Sequence, residues 1–384
     1  MRAYETSHPW LTFSIDLSRA PARLWTMLGE CGALSGMISS APLPPEERVM
    51  IDRDCLVSAV KAVLPGNVSG LTDDEIRGVL AHDYDPSPSR KYLFQEVENL
   101  IAAVGRIDDK AGIPLGTDIG IDTLREYNEL VLDRLVLSEG IEPGGYRINA
   151  DSSQDDTEPA PAEDCDYLLA SLCDWLNSGS FSAHSSMTIY FGILKAVLAR
   201  FYLAWIRPFG AGNERTTALV EHHLMVASGV PSTAALLATA HYSRTRREYI
   251  RLLSSAKSND GKILPFIRYG IQGFIEGSRD LLASIMKKQE ESLWDGHIRR
   301  VFGDRTSPAD IRRRQLAIEL SRYGDIISVS RILDEFPSLA ASYALRTYKT
   351  LTRDVNDLAA LGLLEKTPDG IRVPRETIRG LPPS

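Results

Sequence analysis

The chain has 384 residues, and its 43 Lys and Arg against 51 Asp and Glu give a net charge of −8 at neutral pH. This balance argues against a protein that coats nucleic acid with its whole surface, and a hydrophobic content of 43% predicts a globular protein with ample core. The four cysteines lack metal-ligand spacing and the first residues show no secretory signal, so we expect a reduced, cytoplasmic protein without a metal centre.

The charge is distributed unevenly along the chain. Residues 291–384 hold about two more basic than acidic side chains, so residues 1–290 hold about ten more acidic ones. We therefore predict an electrostatically distinct C-terminal domain over 291–384. An N-terminal helical region over 1–90 and a larger helical domain over 91–290 are expected to precede it.

Amphipathic segments dominate the acidic part of the chain and strand signals are few, which predicts an all-α fold class. In chain order, helices are predicted over 91–106, 121–138, 167–179, 187–206 and 216–229, with two more between 242 and 288. A turn and a short extended hairpin are predicted at 143–151, where paired glycines precede an alternating pattern.

The helix over 187–206 is apolar on nearly all sides, which predicts that it is buried at the centre of the molecule. Its two charged residues, Lys195 and Arg200, argue against a position in lipid. We expect no membrane partner for this protein.

The sequence RPFGAGNER at 207–215 separates this buried helix from the next one. The first N–H groups of the following helix are unpaired and point into the loop. Gly212 allows a phosphate to approach the backbone closely, and Arg215 offers a guanidinium with paired donors. The loop therefore has the features of a phosphate-binding site. A simple helix–helix turn is the alternative interpretation.

The loop resembles the active-site motif of the Fic (Fido) family, His-Pro-Phe-x-(Asp/Glu)-Gly-Asn-Gly-Arg-x-x-Arg. QEVENLIAAV at 95–104 is similar to the family's early helix, and PGGYRINAD at 143–151 is similar to its flap. YSRTRREYIRLL at 242–253 resembles the segment whose tyrosine helps to form the nucleotide pocket. The resemblance covers about 90–280 and implies a Fic-fold helical domain with a small β-hairpin flap.

Most members of this family transfer AMP from ATP to a hydroxyl of another protein. The resemblance therefore implies ATP or another nucleotide with Mg²⁺ as the cofactor. It implies nucleotide contacts by Gly212, Asn213, Arg215 and Tyr249, and a protein partner at the flap near Arg147.

Four residues depart from the family motif. The histidine that acts as general base falls at Arg207, whose guanidinium stays protonated and cannot accept a proton. The acidic Mg²⁺ ligand falls at Ala211, which offers no oxygen ligand. The second motif glycine falls at Glu214, which places a carboxylate where phosphate oxygens would lie, and the last arginine falls at Ala218.

These departures predict a degenerate site with no catalytic residue at the four positions and no ordinary AMP transfer. We favour a pair between Glu214 and Arg207 or Arg215 that closes the anion site. The alternative is a divergent enzyme that transfers AMP or another phosphorylated group to a protein hydroxyl, with Glu214 as base or metal ligand.

The C-terminal residues predict a helix, a short helix, a longer helix and a hairpin. The first helix begins at Ser307, the second spans 329–338, and the third spans 342–364. The Pro-Asp-Gly turn at 368–370 indicates the hairpin. This order is that of a winged helix-turn-helix, and RTYKTLTRDVNDLAALGLL resembles the recognition helix of DeoR-type winged-helix repressors.

The outward-facing residues of this helix are of the types that meet phosphates and base edges, namely Arg346, Thr347, Lys349, Thr350 and Arg353. We expect DNA to be a partner of this domain. Protein docking or homodimerisation is the alternative use of a winged helix. The leading hypothesis is a non-AMPylating, DNA-associated regulator, followed by a divergent Fic enzyme and by a protein-binding adaptor.

Overall fold

The computed structural model describes residues 1–64, 70–111, 118–148, 158–181, 187–258, 263–323 and 325–374. Contacts divide the chain into two compact units. The first comprises Met1–Ala41 and Arg48–Leu282, and the second comprises Pro42–Glu47 and Ala283–Ser384. Helices dominate both units, which confirms the predicted all-α class.

The helices before residue 256 are α1 (Ala3–Ser7), α2 (Ala22–Ser40), α3 (Pro45–Val63), α4 (Asp73–Leu80), α5 (Lys91–Ala111), α6 (Ile121–Leu132), α7 (Cys165–Leu176), α8 (Thr188–Ile206), α9 (Asn213–Ala227), α10 (Ser232–Ala235), α11 (Leu237–Arg244) and α12 (Arg246–Ser255). They are followed by α13 (Leu264–Phe302), within which the boundary of the two units falls. The local sequence explains several helix ends. For example, Thr72 and Glu75 form a capping box that satisfies the first N–H groups of α4.

Helix α8 lies at the centre of the first unit, as its apolar sequence predicts. Its side chains from Gly192 to Leu203 are all buried. By length and composition it is the one helix in the described ranges apolar enough to cross a membrane, and 78% of its most apolar window is buried inside the protein. Helices α2, α7 and α9 pack against it, and α5 and α6 pack against α9 and against each other. This arrangement fixes the loop between α8 and α9.

The second unit continues with α14 (Pro308–Tyr323), α15 (Ile332–Glu335), α16 (Pro337–Tyr343), α17 (Tyr348–Ala360), β1 (Glu365–Thr367) and β2 (Gly370–Arg372). The strands are antiparallel, with Glu365 opposite Arg372 and Thr367 opposite Gly370. Ile327 forms a further bridge to Ile371, so the hairpin is tied to the helices. Trp294, Leu316, Leu358 and other buried residues form one hydrophobic core beneath these elements. The order of elements is consistent with the predicted winged helix-turn-helix.

Several predicted elements differ from the structure. The helix predicted over 121–138 ends at Leu132, and α15 and α16 replace the single helix predicted over 329–338. The helix predicted over 342–364 begins only at Tyr348, because Thr347 is extended (φ −84°, ψ 157°) and precedes the helix as its N-cap residue. The hairpin predicted at 143–151 lies partly outside the described residues, and no strand pair is formed within the part described, 143–148. In its place Tyr146 forms a single bridge to Phe209, and residues 149–151 lie outside the described residues.

Candidate functional site

The loop between α8 and α9 reverses the chain through two residues in the left-handed region. Arg207 ends α8 with φ +40°, and its N–H donates to the carbonyl of Leu203 at 2.9 Å. Gly212 precedes α9 with φ +75°. A β-carbon at Gly212 would lie 3.2 Å from the side chains of Asn128, Val131 and Leu132 on α6. The glycine is therefore required both by the backbone conformation and by close packing.

Side-chain amides hold the loop closed on itself. The Asn213 amide donates to the carbonyl of Phe209 at 2.8 Å and accepts from the Phe209 N–H at 3.0 Å. Asn128 donates to the carbonyl of Ala211 at 2.9 Å and to the Thr216 hydroxyl at 3.1 Å. Asn213, predicted as a nucleotide contact, thus uses both ends of its amide on the loop backbone.

Arg147 is buried at this loop rather than presented to a partner. Its guanidinium donates to the carbonyls of Arg207 at 2.6 Å and Ile206 at 3.1 Å, and also to that of Ala160. Its N–H donates to the carbonyl of Pro208 at 2.9 Å. Arg147 therefore ties the predicted flap to the end of α8.

The Arg207 side chain, which stands where the family motif has its histidine, is also buried, with 7% of the residue exposed. Its Nε donates to the carbonyl of Ala204 at 3.2 Å, one turn back on α8. The guanidinium is a donor only, so this position holds no proton acceptor.

Glu214 forms an ion pair with Arg200, 2.6 Å between Oε1 and the guanidinium. The predicted partners, Arg207 and Arg215, are wrong, because Arg200 projects from α8 to the start of α9. Burial acts to raise the pKa of Glu214, but the charge and hydrogen bond of Arg200 outweigh it and lower that pKa, with help from Arg246 and Arg207. The Glu214 side chain is 45% exposed, so its carboxylate contacts Arg200 on one side and solvent on the other.

Arg200 is fully buried and also pairs with Glu221, which lies two turns after Glu214 on α9. Burial raises the pKa of Glu221 to about 7, although the charge of Arg200 acts in the opposite direction. The Arg200 guanidinium lies 4.5 Å from the ring centre of Tyr242. Arg200 thus contacts one buried carboxylate, one half-exposed carboxylate and an aromatic ring.

Arg215 is 3.1 Å from Glu96 on α5, and both side chains are at least 88% buried. Tyr249, predicted to line a nucleotide pocket, is 3% exposed and packs 5.7 Å from the ring of Phe266. Burial raises the pKa of Tyr249. Both predicted nucleotide contacts therefore have partners within the core.

The loop offers few oxygen ligands to a divalent cation. Ala211 has no side-chain oxygen, and Glu214 is engaged by Arg200. Across the described ranges no group of three or more His, Cys, Asp or Glu residues is arranged to hold a metal ion. Ala218, where the motif has its last arginine, lines a small apolar cavity with Leu100 and Leu219.

The second candidate surface lies at the start of α17. Arg346 and Thr347 precede the helix, Lys349 and Arg353 are exposed on it, and Thr350 is partly buried. In the part of the chain that the structure describes, none of the three basic side chains forms an ion pair. All five predicted residues fall on one short segment.

A buried network fixes the orientation of this segment. Asp354 is fully buried and accepts from Arg312 at 2.7 Å, Arg313 at 2.9 Å and the Tyr343 hydroxyl at 2.9 Å. These bonds outweigh the effect of burial and lower the pKa of Asp354. Arg312 and Arg313 are therefore structural.

Sequence reasoning missed Arg200, Glu221, Asn128 and Glu96. The first two had a signal. Two helices joined by a short loop pack antiparallel, and Arg200 and Glu221 are equally far from the loop, seven residues before Arg207 and seven after Glu214. The other two lie on α6 and α5, which the local sequence does not bring to the loop.

Comparison with known proteins agrees with this helical arrangement. Residues 119–225 match the Fic/DOC family. Protein adenylyltransferase fic-1 of Caenorhabditis briggsae is 28% identical over 186 residues, which cover 46% of this chain and 32% of that protein. Protein adenylyltransferase Fic of Nematostella vectensis is 30% identical over 151 residues, covering 39% and 31%. The chain thus spans about a third of the length of these relatives.

Solved structures extend the likeness of fold beyond the matched residues. A Fic family protein from Desulfovibrio desulfuricans G20 aligns with a TM-score of 0.55 at 19% identity and covers 94% of this chain and 97% of its own. Fic-1 from C. elegans aligns with a TM-score of 0.52 at 22% identity, covering 69% and 73%.

Proposed function

We propose that this chain, whose residues 119–225 form a Fic/DOC family domain, is a DNA-associated regulator whose Fic domain does not transfer AMP. The observation that carries the proposal is the state of the loop after α8. Arg207 is buried and Glu214 is ion-paired. By the resemblance to the family motif, Arg207 takes the place of the general base and Glu214 the place of a glycine beside the phosphates.

The absence of a base follows from the chemistry of arginine. Transfer of AMP to a hydroxyl requires that the hydroxyl lose its proton as it attacks, and a guanidinium offers no lone pair to receive it. Ala211 likewise offers no ligand to the cation that neutralises the phosphates. Glu214 adds a negative charge at the helix N-terminus that would otherwise attract an anion.

DNA binding is supported by the surface at the start of α17. Arg346, Lys349 and Arg353 are exposed and without ion pairs in the described residues, so their charges are available to phosphates or base edges. Asp354 points inward from the same helix and anchors it to α14. The result is a rigid element with its cations on the outer side.

AMP transfer is tested directly with labelled ATP and the purified full-length chain. We expect no label on the chain itself or on proteins of a cell extract, with an active Fic protein as the positive control. Label that appears and is lost in the Arg215→Ala variant would overturn the proposal.

DNA binding is tested by fluorescence anisotropy with fragments of the chain's own upstream DNA. Three phosphate contacts would give a slope of about −2.7 in log K against log salt, or roughly forty-fold weaker binding between 50 and 200 mM salt. A scrambled fragment of equal length serves as the control. Failure of every upstream fragment to bind at low salt would remove the DNA half of the proposal.

A divergent transferase is the second candidate, and the relatives named protein adenylyltransferases favour it. The loop keeps Gly212, Asn213 and Arg215 of the family motif. A nucleotide that raises the melting temperature of the chain in a saturable way would support this candidate. A flat response to a panel of nucleotides and nucleotide-linked substrates would exclude it.

A further inference from the structure

A cavity of about 310 Å³ lies in the first unit, at the opposite end of α8 from the loop. Lys195, which lines it, is twelve residues before Arg207, or about 18 Å along the helix axis. Its volume is at the lower limit of small-molecule sites and equals that of about ten water molecules in the liquid. The cavity is therefore separate from the loop and large enough for a ligand of amino-acid size.

Lys195 is the notable residue of this cavity. It is 93% buried, and among the described residues its ammonium has no hydrogen bond or ion pair, only the ring of Phe181 at 5.8 Å. Burial lowers the pKa of Lys195, and the charge of Asp118 opposes that change. The Lys195 side chain is thus largely buried and has no ionic partner among the described residues, and it lines an open space that a partner could enter.

Negative charge lies on another side of the cavity. Asp118 is exposed at its edge. The side-chain amide of Asn177 accepts from the N–H of the neighbouring residue Ile119 at 3.0 Å and donates to its carbonyl at 2.9 Å. The residues after the C-terminal ends of α7 and α9, Asn177 and Ser228, line the same space. Helix C-termini carry partial negative charge, whereas the N-terminus of α8, which also lines the cavity at Thr188, carries partial positive charge.

Other residues of the lining form a hydrophobic wall, and helices α8 and α9 lie close together beside it. Phe181, Phe191 and Leu224 contribute hydrophobic side chains. At Gly192 a β-carbon would lie only 1.9 Å from the Ser228 hydroxyl, so a glycine is needed for α8 and α9 to approach here. The cavity thus offers one cation, one anion and a hydrophobic wall.

We propose that this cavity binds a small zwitterion of the amino-acid class with an apolar side chain. Its carboxylate would pair with the Lys195 ammonium, two turns into α8. Its amine would lie toward Asp118 and the helix C-termini, and its side chain would pack on Phe181 and Phe191. A phosphate is disfavoured, because its second negative charge would meet Asp118 with only one ammonium to balance it.

The test is calorimetry on the full chain with L-phenylalanine and L-leucine, beside two analogues that each lack one charge. 3-Phenylpropanoate lacks the amine and 2-phenylethylamine lacks the carboxylate. We expect saturable binding of at least one amino acid and at least ten-fold weaker binding of both analogues. No saturable binding of either amino acid at 10 mM would overturn the proposal.

Two variants and a control assign the residues. Lys195→Met should abolish binding, while Lys91→Met, at an exposed lysine of α5, should leave it unchanged. Binding by Lys195→Met equal to that of the parent chain would contradict the proposal. Should that variant fail to fold, the exposed Asp118→Asn decides, because it must weaken binding of the amino acid more than that of 3-phenylpropanoate. An equal effect on both would refute the assignment, and neither outcome depends on DNA binding or AMP transfer.

Discussion

The loop after α8 and the start of α17 both carry arginines, but the two regions use them in opposite ways. Around the loop, Arg200 and Arg215 are buried and paired with carboxylates from α9 and α5. At α17, Arg346 and Arg353 are exposed and have no ion pair in the described residues. The same side chain holds a structure together in one region and remains available to a ligand in the other.

This difference shows why a motif position is a poor guide to function without its surroundings. In the sequence, an arginine near a helix N-terminus resembles a residue that binds phosphate. When a buried carboxylate already neutralises its charge, however, that arginine attracts an anion only weakly. An exposed guanidinium without a partner loses only hydration when a phosphate approaches. The following variants test whether the paired arginines near the loop stabilise the fold and whether the unpaired arginines at α17 bind a ligand.

The largest expected effect is on stability, in Arg200→Ala. Its removal leaves Glu221 buried without a counter-charge and frees Glu214, so we expect a loss of about 3–5 kcal/mol in the free energy of unfolding of the first unit at pH 8. Urea unfolding followed by tryptophan fluorescence measures it. The matched control is Arg251→Ala, whose partner Glu248 is exposed, so we expect no measurable loss of stability. Equal losses in the two variants would show that the buried pairs are not special.

The pH dependence of stability should report Glu221. Its pKa is raised to about 7 in the folded chain against an ordinary 4.5, so the folded state binds more protons between these values. Stability therefore falls as pH rises from about 4.5 to 7, by roughly 1–3 kcal/mol. Glu221→Gln should remove this decline, as measured by urea unfolding at several pH values.

The control for that measurement is Glu248→Gln. The pKa of Glu248 is lowered by its hydrogen bond to Arg251, so its contribution is fully present above pH 4.5 and is lost only below it. This variant should keep the decline between pH 4.5 and 7. A parent chain whose stability is flat across this window would contradict the role given to Glu221.

The sequence predicted much of the fold because the signals concerned were local. The buried helix α8, the all-α class and the Fic/DOC resemblance, confirmed over 119–225, rest on periodicity and on a continuous motif. The partner of Glu214 was missed because it lies on the preceding helix, at a distance in sequence that the loop residues do not reveal. The burial of Arg147 was missed because its partners are backbone carbonyls of the loop, which no side-chain pattern encodes.

The start of α17 was placed too early for a related reason. Leu345, Arg346 and Thr347 have side chains that suit a helix face, but the chain turns there, with the Arg346 N–H bonded to the carbonyl of Tyr343 at 2.8 Å. The turn places Arg346 before the helix and Lys349 in its first turn.

A smaller effect is expected on DNA affinity from Arg353→Ala. If Arg353 contacts a base, the loss should be roughly 1–3 kcal/mol for the preferred fragment and less for a scrambled one. If it contacts a phosphate, both fragments should weaken alike and the salt slope should decrease by about 1. Arg251→Ala, an exposed but paired arginine, is the control. Unchanged affinity in Arg353→Ala would count against α17 as the DNA-contacting element.

The smallest expected effect is a gain, in Glu214→Gly. The change removes the carboxylate from the first turn of α9. The Arg200 guanidinium then loses its hydrogen bond to that carboxylate. Weak ATP binding, with a Kd on the order of 1 mM, should then appear in calorimetry where the parent chain shows none. Glu214→Gln keeps the size of the side chain without its charge, so it separates blocking by charge from blocking by volume. If neither variant binds ATP, the pair with Arg200 is not what prevents binding. The causes left are the hydrogen bonds of Asn213 and Asn128 across the loop, the missing cation ligand at Ala211 and the engagement of Arg215 by Glu96.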